Sequence, residues 1–108
     1  MPADVLQQLD IRVGVIEAVA EVAGSDKLIE LRVGFGNHTR QILVGMKRER
    51  ANLRELEGRQ ALFVVNLSPR TMAGRMSEGM LLDIGYADGL VPVLAVPERP
   101  VPPGTRAG

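Results

Sequence analysis

The chain has 108 residues and a mass of 11.7 kDa, so we expect a single domain spanning residues 1–108. Hydrophobic residues make up 45% of the sequence and aromatic residues only 3%, so aliphatic side chains must build the core. The absence of cysteine excludes disulfides and thiolate metal sites, and the formal net charge is zero. No signal-peptide pattern or long apolar stretch is present, so we expect a cytoplasmic protein.

The charges are unevenly distributed along the chain. Residues 1–39 carry three basic and six acidic side chains (net −3), and residues 76–108 carry two and four (net −2). Residues 40–75 carry eight basic side chains against three acidic ones, a net charge of +5. This pattern predicts a basic surface built from the centre of the chain, with an ordinary solvated surface as the alternative.

Alternating apolar and polar residues, followed by a glycine-rich turn, predict three strands in the first half of the chain. The first strand covers Ile11 to Val22, and Gly14 indicates a bend or bulge within it. The second strand covers Leu28 to Val33. A glycine-rich turn at residues 34–37 then closes a hairpin into the third strand, Thr39 to Val44.

The second half begins with a change of pattern. Residues Ala51 to Glu57 fit one short helix, with Asn52 as its N-cap. The most apolar run, Ala61 to Leu67, predicts a buried central strand. Two further strands are expected at Met80 to Ile84 and Leu90 to Val96.

This order of elements predicts a mainly β protein. Three strands, one short helix and further strands are typical of the five-stranded OB-fold barrel, with the helix between strands 3 and 4. An SH3-like barrel is the competing interpretation, because periodicity does not determine how a sheet closes. Five of the seven prolines lie between Pro92 and Pro103, so we expect an extended C-terminal tail at a sheet edge or wrapped around the barrel.

The segment Ser68–Leu82 (SPRTMAGRMSEGMLL) resembles a hydrolase motif but fails its structural requirement. A G-x-S-x-G elbow places its serine before a helix, whereas the residues after Ser77 predict a strand. The only histidine, His38, lies in a predicted hairpin tip. One histidine, no cysteine and scattered acids also give no metal-binding cluster. We therefore expect no enzymatic activity, no metal and no cofactor.

Nucleic-acid binding is the function that the remaining residues favour. Three aromatic residues are too few for a base-stacking platform. Arginines can instead form forked hydrogen bonds to phosphates, and flexible methionines can pack against irregular surfaces. These residue types predict recognition of folded RNA by shape, phosphates and 2′-hydroxyls. The predicted RNA contacts are Lys47, Arg48, Arg50, Arg70, Arg75, Ser77, Gly79 and Met80.

Five short segments carry a resemblance to a known family. They are LDIRVG (Leu9–Gly14), SDKL (Ser25–Leu28), NLSPR (Asn66–Arg70), the segment Met72–Leu82 and VPPGT (Val101–Thr105). In this order and spacing they resemble the structure-specific tRNA-binding domain. That family includes stand-alone homodimers and the C-terminal domain of methionyl-tRNA synthetase. The resemblance covers almost the whole chain, with a core at about residues 9–105.

The resemblance implies a non-catalytic OB-fold that grips the outer corner of tRNA, forms a homodimer and can serve a synthetase. The family's S-x-G-M contact segment falls on Ser77, Gly79 and Met80. Glu78 stands where a neutral Gln is common and has no evident role, and residues 46–50 lack the family's usual tyrosines.

The CsaA-type export chaperone is a related alternative, which binds unfolded peptides as a dimer. That branch often carries a larger aliphatic residue at the position of Gly79, so the sequence favours the tRNA branch. For the homodimer, the tail Leu90 to Pro103 is the expected interface, unless it wraps its own barrel.

Overall fold

A computed structural model describes all 108 residues, and its centre is an antiparallel sheet curled into a nearly closed barrel. The elements are helix α1 (Ala3–Gln7), β1 (Ile11–Glu21), β2 (Ile29–Gly34), β3 (Thr39–Val44), β4 (Gln60–Val64), β5 (Arg70–Met72), β6 (Arg75–Ser77), β7 (Met80–Leu81), β8 (Asp83–Ile84), β9 (Val93–Leu94) and β10 (Arg106–Ala107). The barrel strands follow the order β3-β2-β1-β4-β7, with β10 beside the start of β1. The predicted mainly β fold with five barrel strands is confirmed.

The core fills the inside of this barrel with aliphatic side chains. Ile29, Leu31 and Val33 alternate along β2 and are completely buried, as the period of two requires. The two phenylalanines meet at the centre, where the rings of Phe35 and Phe63 pack edge to face at 5.7 Å between centroids. Burial of these side chains is the main stabilising contribution to the barrel.

The helix predicted between the third and fourth strands is a single turn of 3-10 helix, Leu53–Leu56. Asn52 is its N-cap, as predicted, and its side-chain oxygen accepts a hydrogen bond from the Arg54 amide at 3.1 Å. Gly58 follows the turn with a φ of +86°, a conformation that favours glycine. The turn packs Leu56 into the core and returns the chain to β4.

Of the bend or bulge predicted at Gly14, the bulge is not found there, because Gly14 pairs regularly with Ala61 on β4. The register of β1 against β2 is irregular between Ile16 and Ala18 instead. Gly14 is present because its backbone lies against the core: a Cβ there would sit 2.4 Å from Val33 Cγ1 and 2.9 Å from the Phe35 ring. Its role is close packing between two strands.

The segment between β4 and β7, for which no strand was predicted, contains a second hairpin. Strands β5 and β6 pair with Met72 opposite Arg75, so the turn consists of Ala73 and Gly74 alone. Both turn residues have positive φ, +51° and +77° respectively, as in the type I′ turns that suit a twisted hairpin. The strand predicted at 80–84 is divided into β7 and β8.

The C-terminal tail wraps its own barrel in part and leaves a part exposed. Leu94 belongs to the core, and the Gln60 side chain holds the backbone of Val101 through two hydrogen bonds of 2.6 and 3.1 Å. In and around β8 and β9, large hydrophobic side chains remain exposed to solvent: Ile84, Tyr86, Leu90, Val91, Val93 and Val96.

Candidate nucleic-acid interface

The barrel is closed between β3 and β7 by side chains as well as by backbone. Ser77 is 3% exposed, and its hydroxyl accepts a hydrogen bond from the Leu43 amide at 3.0 Å and donates one to the Gly79 carbonyl at 3.0 Å. A buried hydroxyl in this position satisfies an amide on the free edge of β3. The structure thus places Ser77 inside the protein, where it fixes the position of Gly79.

Glu78 acquires a role in the same closure. Its amide donates to the Gln41 carbonyl at 2.9 Å, and its carboxylate accepts from the Gln41 amide at 3.2 Å. The backbone and the side chain of Glu78 thus form the two hydrogen bonds to Gln41 that a neighbouring β-strand would otherwise form. The carboxylate that sequence reasoning could not place is therefore part of the barrel seam, which we define as Gln41 and Leu43 on β3 with residues 77–79.

The backbone of Gly79 packs closely against the barrel, and the side chain of Met80 is partly exposed. A Cβ on Gly79 would come within 3.1 Å of both Ile42 Cδ1 and the Val64 carbonyl oxygen. A larger aliphatic side chain would therefore push against backbone as well as side chain. Met80 pairs with Val64 in the β4–β7 ladder and is 48% exposed, so its thioether is available for packing.

Arg40 also holds this region, although sequence reasoning counted it only as part of the basic centre. Its Nη1 donates to the carbonyls of Val65 at 2.5 Å and Glu78 at 3.2 Å. Its Nε donates to His38 Nε2 at 3.3 Å. A lone arginine in a predicted strand gives no sequence signal for such a role, because its partners lie 25 and 38 residues away.

Two of the predicted RNA-binding cations are paired with acids at the same end of the β1–β2–β3 meander. Arg75 is paired with Glu30 on β2 at 3.1 Å, and Lys47 is paired with Glu21 on β1 at 3.2 Å. Glu21 lies opposite the buried Ile29 in the strand register, and Glu30 is the next residue and alternates to the other face of the sheet. The hairpin and the basic turn, defined as residues 46–50, are therefore anchored at the same end of the meander but on different faces.

Arg48 and Arg50 differ in accessibility. Arg48 pairs with Asp26 on the connection between β1 and β2, and this hydrogen-bonded cation lowers the pKa of the Asp26 carboxyl. Arg50 pairs with Glu55 at 3.2 Å, and only 12% of its side chain is exposed. Arg50 is thus the least accessible of the five predicted cations.

Arg70 is the one predicted cation without an acidic partner. It is exposed on β5, opposite Ser77 in the hairpin register. The exposed surface of β5, β6 and β7 carries Arg70, Arg75 and Met80, which offer guanidinium forks and a flexible apolar contact. Such a surface is suited to phosphates held in an irregular arrangement.

A curled antiparallel sheet of five strands, with a helical turn between its third and fourth strands, defines an OB-fold barrel. The family model described as "Putative tRNA binding domain" matches residues 11–106. The chain therefore belongs to the tRNA-binding domain family, and the predicted resemblance is confirmed.

Individual relatives agree with this assignment. The methionine–tRNA ligase of Chlorobium chlorochromatii (strain CaD3) is 41% identical over 86 residues, which cover 80% of this chain and 12% of the ligase. The crystal structure of a MetRS-related protein from Pyrococcus horikoshii superposes with a TM-score of 0.91 at 33% identity, covering 100% of this chain and 97% of the other. The chaperone CsaA of Bacillus anthracis str. Ames gives a TM-score of 0.85 at 28% identity, covering 100% and 98%.

The chain thus spans a small fraction of the first ligase and nearly the whole of the two compact proteins. No helix in the protein has both the length and the apolar character needed to cross a membrane.

Proposed function

We propose that this protein binds tRNA by shape and backbone charge, without reading sequence and without catalysis of its own. It acts as a cytoplasmic homodimeric module, either alone or as an accessory to an aminoacyl-tRNA synthetase. The proposed contacts are Arg70, Arg75, Lys47 and Arg48, with Met80 packing beside them. Ser77 and Gly79 contribute by positioning Met80, and Arg50 contributes charge from a more enclosed position.

The observation that carries this proposal is the attachment of the basic hairpin and the basic turn to the same end of the meander, in a member of the tRNA-binding domain family. Guanidinium groups fixed on a barrel surface can match phosphates of a folded RNA. Few aromatic side chains are available, which argues against base stacking on a single strand.

The first experiment is a binding titration with competition. Folded tRNA, duplex RNA, single-stranded RNA and an unfolded peptide compete for the chain at several salt concentrations. We expect folded tRNA to bind tightest, and log affinity to fall with log salt at a slope of roughly −3 to −4, as for about four neutralised phosphates. A slope near zero would contradict a phosphate-based mechanism.

Variants locate the interface. Arg70→Ala combined with Arg75→Ala should weaken tRNA binding and make the salt slope shallower, since two phosphate contacts are lost. The matched control is Arg99→Ala with Arg106→Ala, which removes the same charge from the C-terminal tail and from β10. An equal loss of tRNA affinity in the two double variants would show that binding depends on net charge alone. Circular dichroism on each variant checks that the barrel has formed.

A chaperone function is the second candidate, favoured by the likeness to CsaA and by the exposed apolar residues near β8 and β9. It forecasts suppression of aggregation of an unfolded client, with little tRNA retained in the competition. The space around Gly79 favours tRNA binding, because the larger residue of the chaperone branch would require local movement.

The same apolar residues support the proposed homodimer. Val91 and Val93 are 64% and 49% exposed, and a patch of this kind is typically covered by a partner. A second copy fits because the patch is available on every chain and self-pairing requires no other protein. Sedimentation equilibrium should give twice the mass of 11.7 kDa, and Val93→Lys should return the chain to monomers.

A further inference from the structure

Four of the five cations predicted to contact RNA are already paired with acids of the same chain. A tRNA phosphate that approaches them therefore meets a cation that is partly neutralised. The pairs differ in how readily the acid can be released, because their carboxylates differ in exposure.

Two of these acids lie at the surface. The side chains of Asp26 and Glu21 are 81% and 69% exposed. When a phosphate takes over Arg48 or Lys47, each carboxylate returns to water at little cost. These pairs can exchange one anion for another.

Glu30 is held differently. Its side chain is 13% exposed, and both carboxylate oxygens lie 3.1 Å from Nη1 of Arg75. Leu43, which faces Glu30 in the β2–β3 register, is buried. If Arg75 left, the carboxylate would remain partly buried without a counter-charge, which is unfavourable.

Arg75 therefore stays on Glu30 while it binds RNA. Its Nη1 is occupied, whereas Nε and Nη2 make no hydrogen bond within the chain. That free edge carries two parallel N–H groups, the arrangement that accepts two oxygens of one phosphate. The phosphate and Glu30 would then face each other across a single guanidinium group.

We propose that Glu30 limits tRNA affinity, as an internal anion that keeps Arg75 in place and opposes the phosphate bound on its other edge. This rests on the proposed function, since it assumes that Arg75 contacts tRNA. Neutralising Glu30 while keeping its shape removes the repulsion and leaves an oxygen that can accept from Nη1. Binding then becomes tighter, in contrast to the usual result of altering a binding surface.

The test compares Glu30→Gln with Glu98→Gln by fluorescence anisotropy on labelled tRNA. Both variants add one unit of net charge and neutralise the acid of an ion pair, but Glu98 pairs with Arg99 in the C-terminal tail. At about 50 mM salt we expect Glu30→Gln to bind about three- to tenfold tighter, and Glu98→Gln to change by less than about twofold. Glu30→Asp, which keeps the charge, should show no gain.

A second arm repeats Glu30→Gln in a chain that carries Arg75→Ala. The gain should disappear there, because no phosphate is held opposite the carboxylate. Unfolding curves of all variants confirm that the barrel is intact.

Weaker or unchanged binding by Glu30→Gln would overturn the proposal, as would an equal gain from Glu98→Gln. In either case wild-type tRNA binding with a steep salt slope would leave the proposed function standing. Absence of tRNA binding by the wild-type chain would overturn both.

Discussion

The two regions that supply the proposed RNA contacts are attached to the barrel in different ways. The segment from Arg70 to Met80 is fixed by hydrogen bonds in which Ser77, Glu78 and Arg40 satisfy backbone groups. The basic turn at residues 46–50 starts from the buried Met46, and its cationic side chains are held by ion pairs, of which Lys47 with Glu21 is one.

Because of this difference, we expect the hairpin segment to determine the shape of the binding surface and the basic turn to contribute mainly charge. A buried hydroxyl bonded to a backbone amide tolerates little displacement, so the hairpin segment holds a defined shape before RNA arrives. An exposed ion pair contributes little to stability and exchanges easily with other ions. We infer that the hairpin segment defines the shape that tRNA must match, and that the basic turn adds attraction that depends strongly on salt.

The largest expected effect is at Ser77. In Ser77→Ala the Leu43 amide loses its partner in a buried position, which costs about 1–3 kcal/mol of unfolding free energy. Urea unfolding followed by circular dichroism measures this. The control is Thr71→Ala, an exposed hydroxyl on the same hairpin, where we expect a change below about 0.5 kcal/mol. Equal effects at both positions would mean that the seam is not a fixed element.

A smaller effect of opposite sign is expected at the hairpin tip. Ala73 is the only residue other than glycine with a positive φ, a conformation that costs an L-residue about 1 kcal/mol but suits asparagine. Ala73→Asn creates the Asn-Gly pair preferred in type I′ turns and should stabilise the fold by about 0.5–1 kcal/mol. Thermal unfolding measures the gain, with Ala87→Asn in an exposed helical turn as the control. A destabilised Ala73→Asn variant would contradict the assigned turn.

The smallest effect is expected at the basic turn and depends on pH. The hydrogen bond and charge of Arg48 lower the pKa of Asp26 below its ordinary value of 3.8. A lowered pKa adds stability above the ordinary value, and that stability is lost as pH falls through the folded-state pKa. The small advantage of wild type over Asp26→Asn should therefore be present at neutral pH and vanish well below pH 3.8.

Melting temperatures of wild type and Asp26→Asn, measured across this pH range, should become equal at low pH. A difference that stayed constant into strong acid would show that the Asp26 carboxylate does not act through its charge.

Much of the barrel could be predicted because its first three strands pair in sequence order. The alternation along residues 28–33 reports burial directly, and the turn that leads into residues 39–44 carries glycines. The β5–β6 hairpin was missed because its turn residues, Ala73 and Gly74, lack the Asn-Gly or Asp-Gly signal.

The candidate site was predictable in its residue types more than in its arrangement. Sequence reasoning singled out Ser77 and proposed that it contacts RNA, and nothing local indicates that its hydroxyl lies against Leu43, 34 residues earlier. The pairing of Arg75 with Glu30 likewise joins residues 45 apart. Such contacts depend on the register of the closed barrel, which periodicity does not encode.

The side-chain closure of the barrel has a consequence for how the protein can be observed. The amides of Gln41 and Leu43 donate to the carboxylate of Glu78 and the hydroxyl of Ser77. Their hydrogen exchange therefore measures how often the segment carrying Gly79 and Met80 detaches, separately from opening of the sheet itself. Two backbone amides on the opposite strand thus act as internal reporters of the loop that would meet RNA.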